Sequence, residues 1–472
     1  MRIILVCQSI IAIWFCNFNF SCFAQENNLS PSNYFIIDSI ILVGNNITKP
    51  KIILRELEFN EGDTVNVKDF DKLSKLSQEN LINTSLFNFV NLDMSTKDSV
   101  HIILSISVIE RWYTWPIPLL ELATPNFNTW WVDQDLNKIN YGFYIIKENF
   151  RGRKESLKFR FRFGYDQQIA MQYNIPFINK MQSAGLEFTA GYSYNHEIHY
   201  GTVANKMIFY KSDDSFARKE FFIRTSGIFR KKLYNKQSVN LQYTSSTVLD
   251  TIIKLAPDYF NKDNNKIAYI SCSWAFIRDK RDYIYYPLSG SMFYLKMTKE
   301  GFALIDKTGI DLLYAYSEFH QHFKIEDRLY FAYGINGKLN FLDKPPYYFQ
   351  KGLGYVNFVR GYEYYVIDGQ SYALLKSNFK FAIIKDKTGE ISFIKTDKFR
   401  KYHYSIFLNL FADAGYVVDD LYGSVNNMSN ALQIGSGVGI DFLTYYDMIL
   451  RLEFSVNKYG ENGLYIHFEK PI

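Results

Sequence analysis

Along most of this chain apolar and polar residues alternate one by one. In LKFRFRFGY, Leu157, Phe159, Phe161 and Phe163 fall on one face of an extended strand, and Lys158, Arg160 and Arg162 on the other. In SIFLNLFADAGY, Ile406, Leu408, Leu410, Ala412 and Ala414 oppose Ser405, Asn409 and Asp413. In DMILRLEFSV, Met448, Leu450, Leu452, Phe454 and Val456 oppose Arg451 and Glu453. Strands of a soluble sandwich run ~5–6 residues. These runs last about 10, the length of a lipid-crossing strand, and their apolar faces carry bulky side chains. Backbone groups in lipid must all be paired, so such a sheet has to close. The pattern predicts a transmembrane antiparallel β-barrel. Its sixteen strands fall near 112–123, 137–148, 155–166, 168–178, 184–195, 219–230, 238–249, 266–278, 290–302, 310–325, 327–340, 370–385, 403–416, 431–443, 447–457 and 462–470. Short connections such as 149–154 and 178–182 are expected on the periplasmic side, and long ones such as 341–369 outside. Residues 196–217 are ambiguous and could pair as a hairpin beyond the membrane.

Residues 34–110 read differently. FIIDSIILVGNN alternates as a strand, and KPKIILRELEF reads as a helix with Thr48 as its N-cap. FNEGDTVN reads as a turn. VKDFDKLSKLSQENLINT has helical spacing, and FNFVNLDM and SVHIILSISVIE close a small β-α-α-β-β domain. The fold class is therefore mainly β, a barrel over 111–472 behind one small α+β domain. Residues 1–24 have the charge, apolar core and small terminal residue of a secretory signal peptide, followed by a short segment, 25–33. Cys7, Cys16 and Cys22 would leave with it, and Cys272 would remain as a single thiol unable to form an internal disulfide.

Composition sharpens this picture. The 472 residues include 37 Tyr and 41 Phe, a usage that suits strands and membrane-interface girdles. The formal charge of +5 comes from scattered basic residues, which excludes a nucleic-acid partner and leaves membrane lipid as the expected surroundings. No G-x-S-x-G, H-E-x-x-H, phosphate-binding loop or C-x-x-C occurs, so no catalytic residue, metal or cofactor is assigned. His320 and His322 share a strand face but lack a third ligand in sequence, and read as polar lumen or interface residues.

Several features together resemble the superfamily of BamA, TamA and the two-partner secretion transporters. ILVGNNIT, EGD, SLFNFV and a closing strand ending in Glu110 resemble a POTRA domain. Val359-Arg360-Gly361-Tyr362 matches the family's VRG-aromatic element in the sixth extracellular loop, and Phe411-Ala412-Asp413-Ala414-Gly415 its F-x-D-x-G element on the thirteenth strand. RDKRDYIYYPLSGSMFYL also matches a stretch with Asp-Arg followed by Pro and Gly. Alternation places Phe411, Asp413 and Gly415 on the lumen face. A carboxylate with reduced hydration prefers a bidentate guanidinium, which Arg360 supplies if its loop folds back, with Phe411 offering a π face. Gly361 and Gly415 allow close approach. Alternatively, Arg360 and Asp413 are separately solvated lumen charges; the resemblance implies the internal latch. Gly463, Ile466 and Phe468 fit the terminal-strand signal read by assembly machinery, with Lys470-Pro471-Ile472 added after it. Pro116 and Pro118 cannot donate ladder hydrogen bonds, so the first barrel strand is expected to pair incompletely.

The resemblance implies an outer-membrane protein with its POTRA-like domain in the periplasm, acting on unfolded outer-membrane client polypeptides. Periplasmic or lipoprotein accessory subunits are possible partners. Assembly of clients, secretion of one dedicated polypeptide, and a structural or solute-passing barrel are the readings in play.

Overall fold

The structure, a computed structural model, describes residues 34–98, 100–122, 138–179, 181–260, 264–302, 309–341, 345–390, 401–421, 423, 425–444 and 448–469. The expected signal peptide and residues 470–472 lie outside them. The N-terminal unit runs β1 (Tyr34–Val43), α1 (Pro50–Leu54), β2 (Thr64–Asn66), α2 (Val67–Asn83), β3 (Phe87–Thr96) and β4 (His101–Glu110). Its sheet order is β2-β1-β4-β3, with β1 and β4 parallel. Alternation on β4 sends Ile102, Leu104, Ile106 and Val108 inward, where they pack with Ile53, Phe59, Leu81 and Phe87. Ile41 and Val43, on the opposite face of β1, stay exposed.

Three local expectations are corrected here. The first helix is only five residues long, and its N-cap is Lys49, with no side-chain cap bond. Thr48 instead donates its hydroxyl to the buried Glu110 carboxylate at 2.6 Å and its backbone N–H at 2.7 Å. Donating to Glu110 and accepting from Asn149 Nδ2 at 2.8 Å, the hydroxyl is engaged away from the helix N–H groups. The FNEGDTVN segment also contains β2, which pairs with Tyr34–Ile36 of β1.

Sixteen further strands form one sheet. They are β5 (Thr114–Leu122), β6 (Ile139–Phe150), β7 (Glu155–Gly164), β8 (Asp166–Ile175), β9 (Ala184–Asn195), β12 (Arg218–Lys232), β13 (Asn235–Val248) and β14 (Lys266–Asp279). The rest are β15 (Gly290–Glu300), β16 (Leu312–Lys324), β17 (Leu329–Asn340), β18 (Ser371–Glu390), β19 (Lys401–Val418), β20 (Gln433–Leu443), β21 (Ile449–Asn457) and β22 (Asn462–Glu469). Every neighbouring pair is antiparallel and follows chain order, as expected of an up-and-down barrel. Leu408 and Leu410 on β19 face outward, while Phe407, Asn409, Phe411 and Asp413 point into the lumen. Between β9 and β12, β10 (Glu197–Val203) and β11 (Lys206–Lys211) pair as a separate hairpin. No helix among the described residues is long and apolar enough to cross a membrane.

The α+β unit sits on the barrel turns. Asn149 donates to Thr48 Oγ1 at 2.8 Å, and Lys49 N–H donates to the Gly152 carbonyl at 2.9 Å. Arg230 forks onto Glu56 at 2.7 and 2.8 Å, and Tyr234 donates to Glu58. Asn83 and Ser85 contact the turn between β14 and β15. These turns therefore mark the end of the barrel that carries the α+β domain.

Candidate functional site

The loop between β17 and β18 does not stand out into solvent. It turns down into the lumen, with Leu353 and Ile367 paired as an isolated bridge and Val359, Arg360 and Tyr362 buried. At its tip, Arg360 Nε donates to Asp413 Oδ2 at 2.8 Å and Nη2 to Oδ1 at 2.6 Å. Nη1 donates to Asn378 Oδ1 at 2.8 Å and to Glu453 Oε1 at 3.2 Å, and Nη2 also reaches the Ser377 carbonyl at 3.3 Å. All five guanidinium N–H donors are thereby accounted for. The guanidinium carbon lies 3.8 Å from the centroid of the Phe411 ring. Arg360 and Asp413 are 5% and 2% exposed, so the pair is desolvated and each charge depends on the other.

The neighbouring glycines make room for this. Gly361 has φ +92°, a left-handed conformation that side chains resist, and its carbonyl accepts from Asn457 Nδ2 at 3.0 Å. A Cβ on Gly415 would lie 2.5 Å from Val359 Cγ2. A Cβ on Gly435 would lie 1.8 Å from the Arg360 carbonyl oxygen, and one on Gly437 would lie 2.6 Å from the Phe411 ring. The lumen face of β20 is thus stripped of side chains where the loop lies. The signal was in the sequence, as alternate glycines in QIGSGVGID, but only in combination with the loop does it acquire meaning.

The same loop braces the last strand. Phe358 stacks on His467 with centroids 5.7 Å apart, Tyr364 contacts Tyr465, and Tyr365 donates to Glu461 at 2.7 Å. Glu453, Asn457, Glu461 and His467 are contributors that sequence reasoning did not single out. Their partners are distant in sequence, and nothing in their local pattern separates them from other lumen polar residues. Of the terminal-strand residues, Gly463, Ile466 and Phe468 lie on β22, and Leu464 beside them is 66% exposed. No group of three His, Cys, Asp or Glu side chains among the described residues is arranged to hold a metal, and His320 instead pairs with Glu318 at 2.9 Å.

The sheet has two ends, β5 and β22, and no ladder joins them among the described residues. The direction of their backbone groups follows from neighbouring bonds. Glu148 N–H donates to the Tyr113 carbonyl at 2.7 Å, so odd-numbered residues of β5 direct their N–H and C=O toward β6. Pro116 and Pro118 therefore direct their donor-less nitrogens toward β22. β5 pairs with β6 along all nine of its residues, so the missing donors belong to its other edge, the one at the seam. On β22, Asn457 N–H donates to the Glu461 carbonyl at 2.9 Å, which leaves the backbone groups of Asn462, Leu464, Ile466 and Phe468 directed at the seam. Between the α+β domain and the first barrel strands, a cavity of about 770 Å³ is lined by Leu86, Trp115, Ile117, Pro118, Lys154 and Met448 among others.

A periplasmic α+β domain docked on a sixteen-stranded barrel with a loop folded into its lumen defines a class of outer-membrane proteins that handle other polypeptides. Family models agree: one described as the Omp85 superfamily domain matches residues 149–460, and a POTRA model, the surface antigen variable number repeat, matches residues 35–111. The chain belongs to the Omp85 superfamily. It is an outer-membrane protein for the insertion or translocation of polypeptides, with its POTRA domain in the periplasm. Among solved structures, the chain resembles BamA from Haemophilus ducreyi lacking POTRA domains 1–3, at 15% identity and TM-score 0.51, with 92% of this chain and 84% of that one covered. It also resembles CdiB from Escherichia coli, at 10% identity and TM-score 0.53, with 92% and 75% covered. At these identities the likeness concerns the fold. No curated protein matches the sequence.

Proposed function

We propose that client polypeptides reach the membrane through the seam between β22 and β5, with the Arg360 loop as the latch that holds the barrel closed until a client engages. The observation that carries this reading is the seam's asymmetry. One edge, β22, has a full set of outward-directed donors, while the other lacks donors at Pro116 and Pro118, so mutual closure is weak and an incoming strand has an edge to join. The lumen is less suited to an open route, because the loop tip is packed through it at Arg360, Tyr362 and Val359.

The periplasmic domain supports the same sequence of events. Among the described residues its β3 strand pairs with β4 on one side only, which leaves a sheet edge for an unfolded outer-membrane client to extend by strand addition. The exposed Ile41 and Val43 face offers an apolar surface for a periplasmic or lipoprotein accessory subunit. In this account the chain catalyses no covalent chemistry and uses no cofactor; its work is strand exchange. Depleting the protein and surveying the outer-membrane proteome tests the breadth of that work. Loss of many barrel proteins fits assembly of clients through the seam, and loss of a single exported product assigns the chain to dedicated secretion instead.

A further inference from the structure

The periplasmic turn between β14 and β15 spans ten residues, 280–289, whereas the turn between β16 and β17 spans only 325–328. Its extra length is folded inward. Tyr286 is 3% exposed, its ring 4.9 Å from Phe407, and Lys380 Nζ lies 3.9 Å from the ring centroid. Its hydroxyl donates to Asp441 Oδ2 on β20 at 2.7 Å, so the turn reaches across the lumen to the wall that adjoins the last strands.

From that contact a row of charges leads to the latch. Arg451 Nε donates to Asp441 Oδ1 at 2.8 Å and lies 3.8 Å from Glu453 Oε1. The same Glu453 oxygen accepts from Arg360 at 3.2 Å, and its other oxygen is 3.5 Å from His467 Nε2 on β22. In the opposite direction, the turn is held by the POTRA domain. Asn83 Nδ2 donates to the Asp282 carbonyl at 3.2 Å, Ile284 N–H donates back to Asn83 Oδ1 at 3.3 Å, and the hydroxyls of Ser85 and Tyr285 are 2.9 Å apart. Ser85 itself sits in the left-handed region, with φ 60°. This fixes the end of α2 against the turn.

We propose that the 280–289 turn couples the position of the POTRA domain to the latch, with Tyr286 as the positioning residue. While Asn83 and Ser85 hold the turn, Tyr286 holds Asp441 and Arg451, and these keep Glu453 oriented toward Arg360. When the POTRA domain moves away from the turn, the row loses its anchor and the loop leaves the lumen more often. The two-state element is the loop, in the lumen or lifted from it, and both the POTRA contact and the Asp413 pair bias it. The proposal rests on the reading of that loop as a latch. It is tested on loop position rather than on client assembly, so the two readings fail separately.

The test uses the full chain in outer-membrane vesicles, with Cys272→Ser and a reporter thiol from Val359→Cys. Val359 is 2% exposed, so a membrane-impermeant maleimide modifies the thiol only when the loop lifts. Arg360→Ala sets the rate for a released loop, and heat-modifiable gel migration confirms that each variant is folded. Tyr286→Phe, which removes only the hydroxyl, and the Asn83→Ala/Ser85→Ala pair should each accelerate labelling by about five-fold or more, the lower end of ordinary coupling between sites. Combining all three changes should be no faster than the faster of the two alone. A POTRA-side variant that labels at the unsubstituted rate, or strictly multiplicative rates in the combination, overturns the coupling. Should Tyr286→Phe fail to fold, the Asn83→Ala/Ser85→Ala rate alone decides the question.

Discussion

Glu56 of the POTRA domain and Arg230 near the end of barrel strand β12 meet in a two-pronged pair, Nη1 to Oε1 at 2.7 Å and Nη2 to Oε2 at 2.8 Å, with Glu56 only 2% exposed. Burial pushes the Glu56 carboxyl up, but Lys154, the Arg230 hydrogen bond and charge, and Arg55 together outweigh it and hold it below the usual carboxylate range. A carboxyl depressed in the docked state contributes its stability above its free value of 4.5 and loses it as pH falls through the docked value. Docking of the POTRA domain should therefore be unchanged between pH 7 and pH 5 and weaken as the medium is acidified below about 4.5. Cross-linking between the domain and the barrel turns, followed across that range, checks this. Glu56→Gln should remove most of the acid sensitivity.

Removing Arg230 leaves Glu56 buried with a weakened partner set. Arg230→Ala should loosen docking by about 3–5 kcal/mol at most, less to the extent that Lys154 and Arg55 compensate. Limited proteolysis at the connection 111–113 reports that loosening, and Arg230→Lys should restore only part of it, because an ammonium cannot fork.

Inside the barrel, Arg360→Ala and Asp413→Ala should each cost about 3–5 kcal/mol of latch closure, since each leaves its partner buried and uncompensated. The double variant should be little worse than either single one. Strict additivity in folded yield or thermal stability would mean that the two residues act separately. Phe411→Leu keeps the ion pair but removes the ring beneath the guanidinium, and should cost a smaller ~0.5–2 kcal/mol.

Gly435→Ala should displace the loop more than Gly415→Ala does. The added methyl at 435 meets the Arg360 backbone carbonyl at 1.8 Å, which cannot move without dragging the loop tip, whereas at 415 it meets the ends of Val359 and Leu353 at 2.5 and 2.8 Å, which can rotate. Disulfide trapping of the loop against the lumen wall in each variant measures the difference.

Much of the architecture was legible because lipid outside and water inside impose one rule on every strand. Phe159 and Leu410 face outward and Arg160 and Asp413 inward for the same reason, and the sixteen strands of the sheet follow from it. Arg360 and Asp413 could be picked out through the family resemblance, whereas alternation alone left them open as separately solvated lumen charges. Glu453, Asn378 and Ser377, which complete the guanidinium's coordination, could not, since sequence carries no measure of where a long loop comes to rest. Thr48 was misread as a helix cap because Glu110, its partner, is 62 residues away. Pro116 and Pro118 gave the missing donors, but only the register of β5 against β6 told which edge lacks them.

That edge yields its own prediction. Replacing both prolines by alanine restores two N–H donors directed at β22 and should tighten the seam by about 1–3 kcal/mol, at ~0.5–1.5 kcal/mol per net hydrogen bond. Clients should then be assembled more slowly, while the barrel itself becomes more heat-resistant. Unchanged assembly kinetics in a demonstrably more stable barrel would detach the seam's strength from its function.

The most direct measurement is a disulfide across the seam. In a Cys272→Ser background, cysteine pairs drawn from Leu119–Leu122 on β5 and Leu464–His467 on β22 should cross-link only in the few registers that bring Cα atoms within about 7 Å. Leu120 and Leu464 both face outward, which makes them the first pair to try. A cross-linked barrel should remain folded, by heat-modifiable migration, yet stop assembling clients until a reductant is added. Client assembly at the full rate through a quantitatively cross-linked seam would contradict the account and move the route into the lumen.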